Sequence, residues 1–276
     1  MASIKNLLRK VYHRIAHQQP APVYAHISYT APSSRLAGKK IIITGGGRGL
    51  GFAMAKKCVQ EGAEVLIAGR KEETLRKSAA ELGCAWLTLD VGKVDSFDIF
   101  LQQADERLGG INALVNNAGI SLHEPTLFDV TEQTFDAQIA TNFRGPYFLT
   151  QRFIALMLQR KQAAVILFTS SETGETADMR PYGFTKAAIN SMVKGLANLF
   201  AKDGIRINAV APGITTSDMT GFKAEGDLAC PGNTLGRVYL PEEVAEVACF
   251  LLSDTSGCLS GQIITCNNAK TVNPRW

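Results

Sequence analysis

The sequence has no apolar run long enough to cross a bilayer. Runs such as Ala163-Ala164-Val165-Ile166-Leu167-Phe168 fall far short of the roughly 20 residues that a spanning helix needs. Nor does a signal-peptide pattern, with an apolar core and a small-residue cleavage site, open the chain, so the expectation is a soluble protein. The six cysteines (Cys58, Cys84, Cys230, Cys249, Cys258 and Cys266) form no C-x-x-C pair and no close, even spacing. That argues against a disulfide framework and against a metal site, and it fits reduced thiols in the cytoplasm. Internal repeats and low-complexity tracts are missing. Acidic residues are absent through Gln60, a stretch that holds ten Lys or Arg. The chain's 29 basic residues less these ten leave 19 against 25 acidic, a balance of −6 hidden within the net charge of +4.

The basic front end has a pattern of its own. Ile4, Leu7, Leu8, Val11, Tyr12 and Ile15 recur at helical spacing, with Lys5, Arg9, Lys10 and Arg14 supplying charge, which reads as an amphipathic basic helix. Such a helix can lie on anionic lipid, dock an acidic partner, pack on protein or direct organelle import. Nucleic acid is not among the expected partners. Gln18-Gln19-Pro20-Ala21-Pro22 and Ala31-Pro32-Ser33-Ser34 read as connector. Residues 1–35 are therefore taken as an extension and residues 36–276 as one domain, for which the length and the 46% hydrophobic content suffice.

Beyond the connector, strand and helix alternate. Lys40-Ile41-Ile42-Ile43-Thr44, Val65-Leu66-Ile67-Ala68, Ala85-Trp86-Leu87-Thr88-Leu89, Ala113-Leu114-Val115, Val165-Ile166-Leu167-Phe168, Ile205-Arg206-Ile207-Asn208-Ala209-Val210 and Gln262-Ile263-Ile264-Thr265 are strand candidates separated by helix-length segments. Seven such strands predict an α/β fold with a doubly wound parallel sheet covered by helices on both faces.

Two stretches carry chemistry. Thr44-Gly45-Gly46-Gly47-Arg48-Gly49-Leu50-Gly51 sits between the first strand and the first helix, where glycines permit unusual φ and let backbone approach a diphosphate at the helix N-terminus. The same glycines would serve a purely structural turn. Tyr182-Gly183-Phe184-Thr185-Lys186 places a phenol and an ammonium four residues apart, on one face of a helix. Read alone, this is an ordinary surface pair as readily as a reactive one.

The order of the motifs decides more than any one of them. TGxxxGxG at Thr44–Gly51, Asn116-Asn117-Ala118-Gly119 after the fourth strand, Asn142 in TNFRGPYF, Ser170-Ser171 after the fifth strand and YxxxK at Tyr182–Lys186 together resemble the single-domain branch of the short-chain dehydrogenase/reductase family. The likeness runs from about Leu36 to Asn268 and takes in Asn208-Ala209-Val210-Ala211-Pro212-Gly213 and Pro241-Glu242-Glu243-Val244-Ala245. It implies a Rossmann-type fold and an NADP(H)-dependent oxidoreductase that reduces a carbonyl or oxidises a secondary alcohol. Reduction needs a hydride at carbon and a proton at oxygen, and the resemblance makes Tyr182 the general acid. Bringing a phenol from ~10 to pH ~7 asks for roughly 3 units, about 4 kcal/mol, part of which the Lys186 charge can supply.

Asn142 and Ser171 complete the catalytic set that the resemblance implies. Ser171 is preferred over Ser170 by alignment on Gly174, although only ten residues separate it from Tyr182, about two fewer than the family's usual spacing. Asn142 matches an asparagine at a helix break whose backbone holds a proton-relaying water, and Gly145-Pro146 suits such a break. For the cofactor, Gly45, Arg48, Gly49, Leu50 and Gly51 match the diphosphate turn. By the resemblance, Asp90 matches an acid whose region borders the adenine, and Asn116, Ala118 and Gly119 match the segment that lines the adenosine ribose. It likewise implies that Tyr182 and Lys186 meet the nicotinamide ribose, and that Ser217, after Pro212 and Gly213, meets the carboxamide. The second strand ends Ile67-Ala68-Gly69-Arg70 with no acid to accept from the ribose hydroxyls, and Arg70 and Arg48, with Lys71 as a weaker third, suit a 2′-phosphate. Hence NADP(H) rather than NAD(H) is expected.

The resemblance leaves the substrate open. The segment from about Ile214 to Tyr239 closes the pocket in such proteins, and Thr216, Met219, Phe222, Lys223, Glu225 and Cys230 favour no single chemistry. A small-molecule ketone or secondary alcohol is the expectation. A 3-oxoacyl thioester on a carrier protein is suggested by Arg160-Lys161 and opposed by Asn198. The alternative class is a nucleotide-binding regulator or scaffold without turnover; a sugar-nucleotide enzyme of the longer branch would need a larger substrate domain. Apolar stripes in Phe148–Ile154 and Ile189–Leu196 point to a homodimer or homotetramer. One departure stands out: Asn267-Asn268-Ala269 occupies the place where many relatives carry Asp-Gly-Gly.

Overall fold

A computed structural model of the chain describes residues 33–223 and 226–272; the basic helix and nearly all of the connector expected before them lie outside these residues. The apolar runs form seven strands, β1 (Lys40–Thr44), β2 (Glu64–Gly69), β3 (Ala85–Thr88), β4 (Ala113–Asn116), β5 (Ala164–Thr169), β6 (Ile205–Pro212) and β7 (Ile263–Cys266). They make one sheet in the order β3-β2-β1-β4-β5-β6-β7, every neighbouring pair parallel. β6 runs two residues past the expected Val210 because Ala211 and Pro212 stay in register with Thr265 and Cys266.

Parallel strands require crossovers, and the helices supply them: α1 (Gly49–Gln60), α2 (Glu72–Leu82), α3 (Phe97–Leu108), α4 (Glu132–Ile139), α5 (Gly145–Arg160), α6 (Pro181–Phe200) and α7 (Pro241–Leu252). Successive side chains of a strand point to opposite faces. Thus Ile42, Leu66, Leu114 and Ile166 meet Phe97, Leu149, Phe153, Ile189 and Val193 on one side. Ile41, Ile43, Ile67 and Val115 meet Met54, Leu75, Val244 and Leu251 on the other. This burial uses up most of the apolar stripes read above as a subunit contact. On α5 and α6 the exposed large apolar residues are Tyr147, Leu158, Phe184 and Leu199.

Chain order reverses direction between β3 and β4, which leaves a crevice between the C-terminal ends of β1 and β4, the usual ligand position of open α/β sheets. The domain's first described residues are bound in firmly. Ser33 and Arg35, counted above with the extension, both donate to Glu61, Arg35 at 2.6 Å. Glu61 is fully buried and also pairs with Lys57. Its carboxyl is held far below the usual range, first by Arg35 and also by Lys57.

Candidate active site

The glycine turn follows β1 at the crevice. Gly45 and Gly49 have φ of +66° and +54°, the left-handed region, and a Cβ on Gly46 would approach Ile67 Cγ2 to 2.7 Å. One on Gly51 would collide with the Gly45 carbonyl and the Asn117 amide. The turn is therefore pressed against β2 and the Asn116–Gly119 segment. α1 starts at Gly49 with neither a capping side chain nor an acid in its first turn, so its free N–H groups and positive dipole end suit an anion. Glycine cradle and uncapped helix together fit a dinucleotide diphosphate. Two residues missed among the sequence candidates build this corner. Thr44 Oγ1 accepts from the N–H of Asn117 and of Ala118, both at 3.1 Å, and Asn117 Nδ2 donates to the Thr44 carbonyl at 3.0 Å. Their signal in the sequence was adjacency alone, each lying inside a quoted motif.

Tyr182 and Lys186 lie in the first turns of α6, which Pro181 opens at a position that needs no N–H. The ammonium sits 5.4 Å from the Tyr182 ring centroid and donates to the Thr169 carbonyl at 2.7 Å. Burial lowers the Lys186 pKa from 10.5 to about 8. Burial also pushes the Tyr182 phenol above its ordinary value, and the Ser171 hydroxyl only partly draws it back. The direction is opposite to the lowering expected from Lys186: the ammonium lies over the ring, and desolvation dominates both groups.

The two serines separate cleanly. Ser170 Oγ donates to Asn190 Oδ1 at 2.6 Å and is tied to α6. Ser171 Oγ instead accepts from the N–H and the hydroxyl of Thr173, at 3.3 and 3.1 Å, which leaves its own proton to donate. Asn142 lies in a five-residue π turn, Ala140–Arg144, between α4 and α5, the break expected from the sequence. Its side chain accepts from the Ile120 N–H and donates to the Ile120 carbonyl, both at 2.8 Å, and also donates to Thr185 Oγ1 at 3.4 Å. A Cβ on Gly119 would lie 3.4 Å from Asn142 Oδ1 and 3.7 Å from Lys186 Nζ, so these three positions converge.

The remaining candidates spread along the crevice. Asn116 donates to Thr150 Oγ1 at 2.9 Å and ties β4 to α5. Asp90 accepts from the Gly92 N–H at 3.0 Å, a turn cap. Leu50 packs on the core beneath the turn. After Pro212, the Gly213 N–H donates to the Cys266 carbonyl at 3.1 Å. The chain then closes over the glycine turn: Ser217 Cβ lies 3.8 Å from where a Cβ on Gly49 would sit, with its hydroxyl on Thr220, and Asp218 pairs with Arg48 at 2.7 Å. Arg70 is exposed just after β2 and makes no ion pair among the described residues. Arg160 is engaged by Asp105 at 2.6 and 2.9 Å, which occupies the basic spot read as a carrier contact. Among the described residues no cluster of His, Cys, Asp or Glu could hold a metal, and no helix is long and apolar enough to cross a membrane.

Comparison with known proteins gives the family. A family model described as enoyl-(acyl carrier protein) reductase matches residues 45–268. An uncharacterized oxidoreductase of Mycobacterium bovis is 35% identical over 240 residues, 84% of this chain and 96% of that protein. The L-fucose dehydrogenase of Bos taurus is 33% identical over 256 residues, 87% of this chain and 92% of that protein. The crystal structure of a 3-ketoacyl-(acyl-carrier-protein) reductase from Brucella melitensis complexed with NADH superposes with a TM-score of 0.79 at 28% identity, covering 86% of this chain and all of that one. The chain belongs to the short-chain dehydrogenase/reductase family, oxidoreductases that use a nicotinamide cofactor and act on CH–OH or C=O groups.

Proposed function

We propose that the protein is an NADPH-dependent reductase of a small-molecule ketone, working in the cytoplasm as a homodimer or homotetramer, with Asn142, Ser171, Tyr182 and Lys186 as its catalytic residues. The observation that carries this reading is the convergence of the Ser171 hydroxyl, the Tyr182 phenol and the Lys186 ammonium at the crevice. A bound nicotinamide supplies the hydride. Ser171, whose hydroxyl reaches the Tyr182 phenol, turns its proton to the substrate oxygen and orients the carbonyl. Tyr182 gives its proton to that oxygen as negative charge develops there. Its raised pKa keeps the phenol protonated at neutral pH, the form that reduction requires. Lys186, held by the Thr169 carbonyl, stabilises the phenolate that remains, and Asn142 fixes Ile120 and the backbone beside Lys186. Alcohol oxidation needs the phenolate instead, so it should be favoured at alkaline pH.

The preference for a 2′-phosphate is supported by the missing carboxylate at the end of β2 and by the unpaired Arg70, with Arg48 across the turn. The Brucella reductase holds NADH in its crystal, so cofactor choice has to be measured for this chain. A 3-oxoacyl thioester is favoured by that relative's substrate name, while Asn198 and the Arg160–Asp105 pair oppose carrier docking along α5 and α6. The test is oxidation of NADPH and NADH over a panel of acyl thioesters, steroids, sugars and small diketones. Turnover of at least one carbonyl with NADPH preferred is the expected result; no turnover of any would favour a nucleotide-binding regulator.

A further inference from the structure

The departure at Asn267-Asn268-Ala269 and the shortened loop after Ser171 meet at one place. Ser171 caps the short 3-10 turn Glu172–Glu175 and takes its orientation from that turn, through the Thr173 N–H on its Oγ and the Gly174 N–H on its carbonyl at 3.0 Å. One side of the turn is held by α6, where Asn190 Nδ2 donates to the Gly174 carbonyl at 3.2 Å and to Glu175 at 2.6 Å. The other side is held by the residues after β7. Glu172 is buried, and its Oε1 accepts from Lys270 Nζ at 2.7 Å while its Oε2 accepts from Asn267 Nδ2 at 3.1 Å. Lys270 Nζ also donates to Asn233 Oδ1 at 3.1 Å, which lies in the segment expected to close the substrate pocket. The C-terminal turn itself is strained: Asn268 and Ala269 have φ of +50° and +64°, a conformation unfavourable to alanine that persists where the surroundings hold it.

We propose that Lys270 and Asn267 are positioning residues of the active site. They grip Glu172 while Asn190 holds Gly174 and Glu175, and so fix the turn that aims the Ser171 hydroxyl and couple it to the pocket segment at Asn233. A buried carboxylate that lost its cation would leave the pair's desolvation uncompensated, and the Glu172 side would then shift, carrying Ser171 with it. Misplacement by about 1 Å at a group that orients a reacting carbonyl costs on the order of 100-fold in rate.

The inference rests on the proposed role of Ser171, so the experiment includes that residue. Full-length wild type, Ser171→Ala, Lys270→Met, Lys270→Arg, Glu172→Gln and Ala269→Gly are compared for kcat and KM on one carbonyl that the wild type reduces, with NADPH Kd and Tm measured alongside. Lys270→Met and Glu172→Gln should lose about 10- to 100-fold in kcat with NADPH Kd unchanged. Lys270→Arg should stay within about threefold of wild type, since a guanidinium can still reach Glu172. Ala269→Gly relaxes the strained turn without touching Glu172 and should keep full kcat. Wild-type kcat in Glu172→Gln and Lys270→Met, with Ser171→Ala inactive, overturns the positioning role alone. Equal losses in Ala269→Gly and Lys270→Met also overturn it, as a merely structural effect. Full activity in Ser171→Ala overturns instead the assignment of Ser171. If Lys270→Met fails to fold, Glu172→Gln and Lys270→Arg decide the matter.

Discussion

Replacing Lys186 by Met should change how stability depends on pH. The ammonium is 4% exposed, bonded to the Thr169 carbonyl and paired with no carboxylate among the described residues. Burial lowers its pKa from 10.5 to about 8. In the unfolded chain the same group titrates near ~10.4. Between these values the unfolded chain binds a proton that the folded protein does not, so stability rises with pH across that window, and the full burial cost applies below about pH 8. A shift of about 2.5 units at roughly 1.4 kcal/mol each amounts to about 3 kcal/mol. Met occupies a similar volume and carries no charge. Unfolding free energies from urea titrations, without added nucleotide, should therefore give a difference between wild type and Lys186→Met that moves about 3 kcal/mol in favour of wild type from about pH 7.5 to about pH 10.5. A difference that does not vary with pH would refute burial as the cause of the lowered pKa.

Under the proposed NADPH preference, Arg70→Ala removes one charge-assisted contact to a 2′-phosphate, worth roughly 1.5 to 3 kcal/mol. NADPH Kd should rise about 10- to 150-fold with NADH Kd unchanged; equal weakening of both cofactors in titration calorimetry would count against a phosphate contact. Light scattering at micromolar concentration should report a dimer or tetramer, and substitution of the exposed Tyr147 and Phe184 by Ser should shift it toward monomer; a monomeric wild type would remove the subunit contact. Of the roles open to the basic front end, a lipid role requires that full-length protein bind anionic vesicles in low salt and lose that binding when residues 1–32 are deleted, a cut that spares Ser33 and Arg35 on Glu61. Failure of the full-length protein to bind would exclude the lipid role of the basic helix.

Local pattern made the strands legible. β1 spans the same five residues as the run of isoleucines that announced it; β2, β4, β5 and β6 run one or two positions further, where register with a neighbour extends pairing, while β3 stops one residue short and β7 lies one residue later. The helix break at Asn142 could be read because Gly145-Pro146 disfavours regular continuation, although its form as a π turn could not. Ser170 and Ser171 could be ranked only through Gly174; what separates them is Asn190, whose approach depends on how α6 crosses β5. The Tyr182 titration was misjudged in direction because charge pairing is visible at four-residue spacing and desolvation is not. The grip of Lys270 on Glu172 joins residues at opposite ends of the chain's second half, which local sequence pattern cannot reveal.

Tyr182→Phe tests the proposed chemistry most directly, since it deletes one hydroxyl from an otherwise unchanged site. With NADPH deuterated at the transferred position and a carbonyl that the wild type reduces, the wild type should deliver deuterium to the product's carbinol carbon. Tyr182→Phe should lose at least about 100-fold in kcat while binding NADPH within about twofold of wild type. Retention of near-wild-type kcat in Tyr182→Phe would contradict the assignment of Tyr182 as the proton donor.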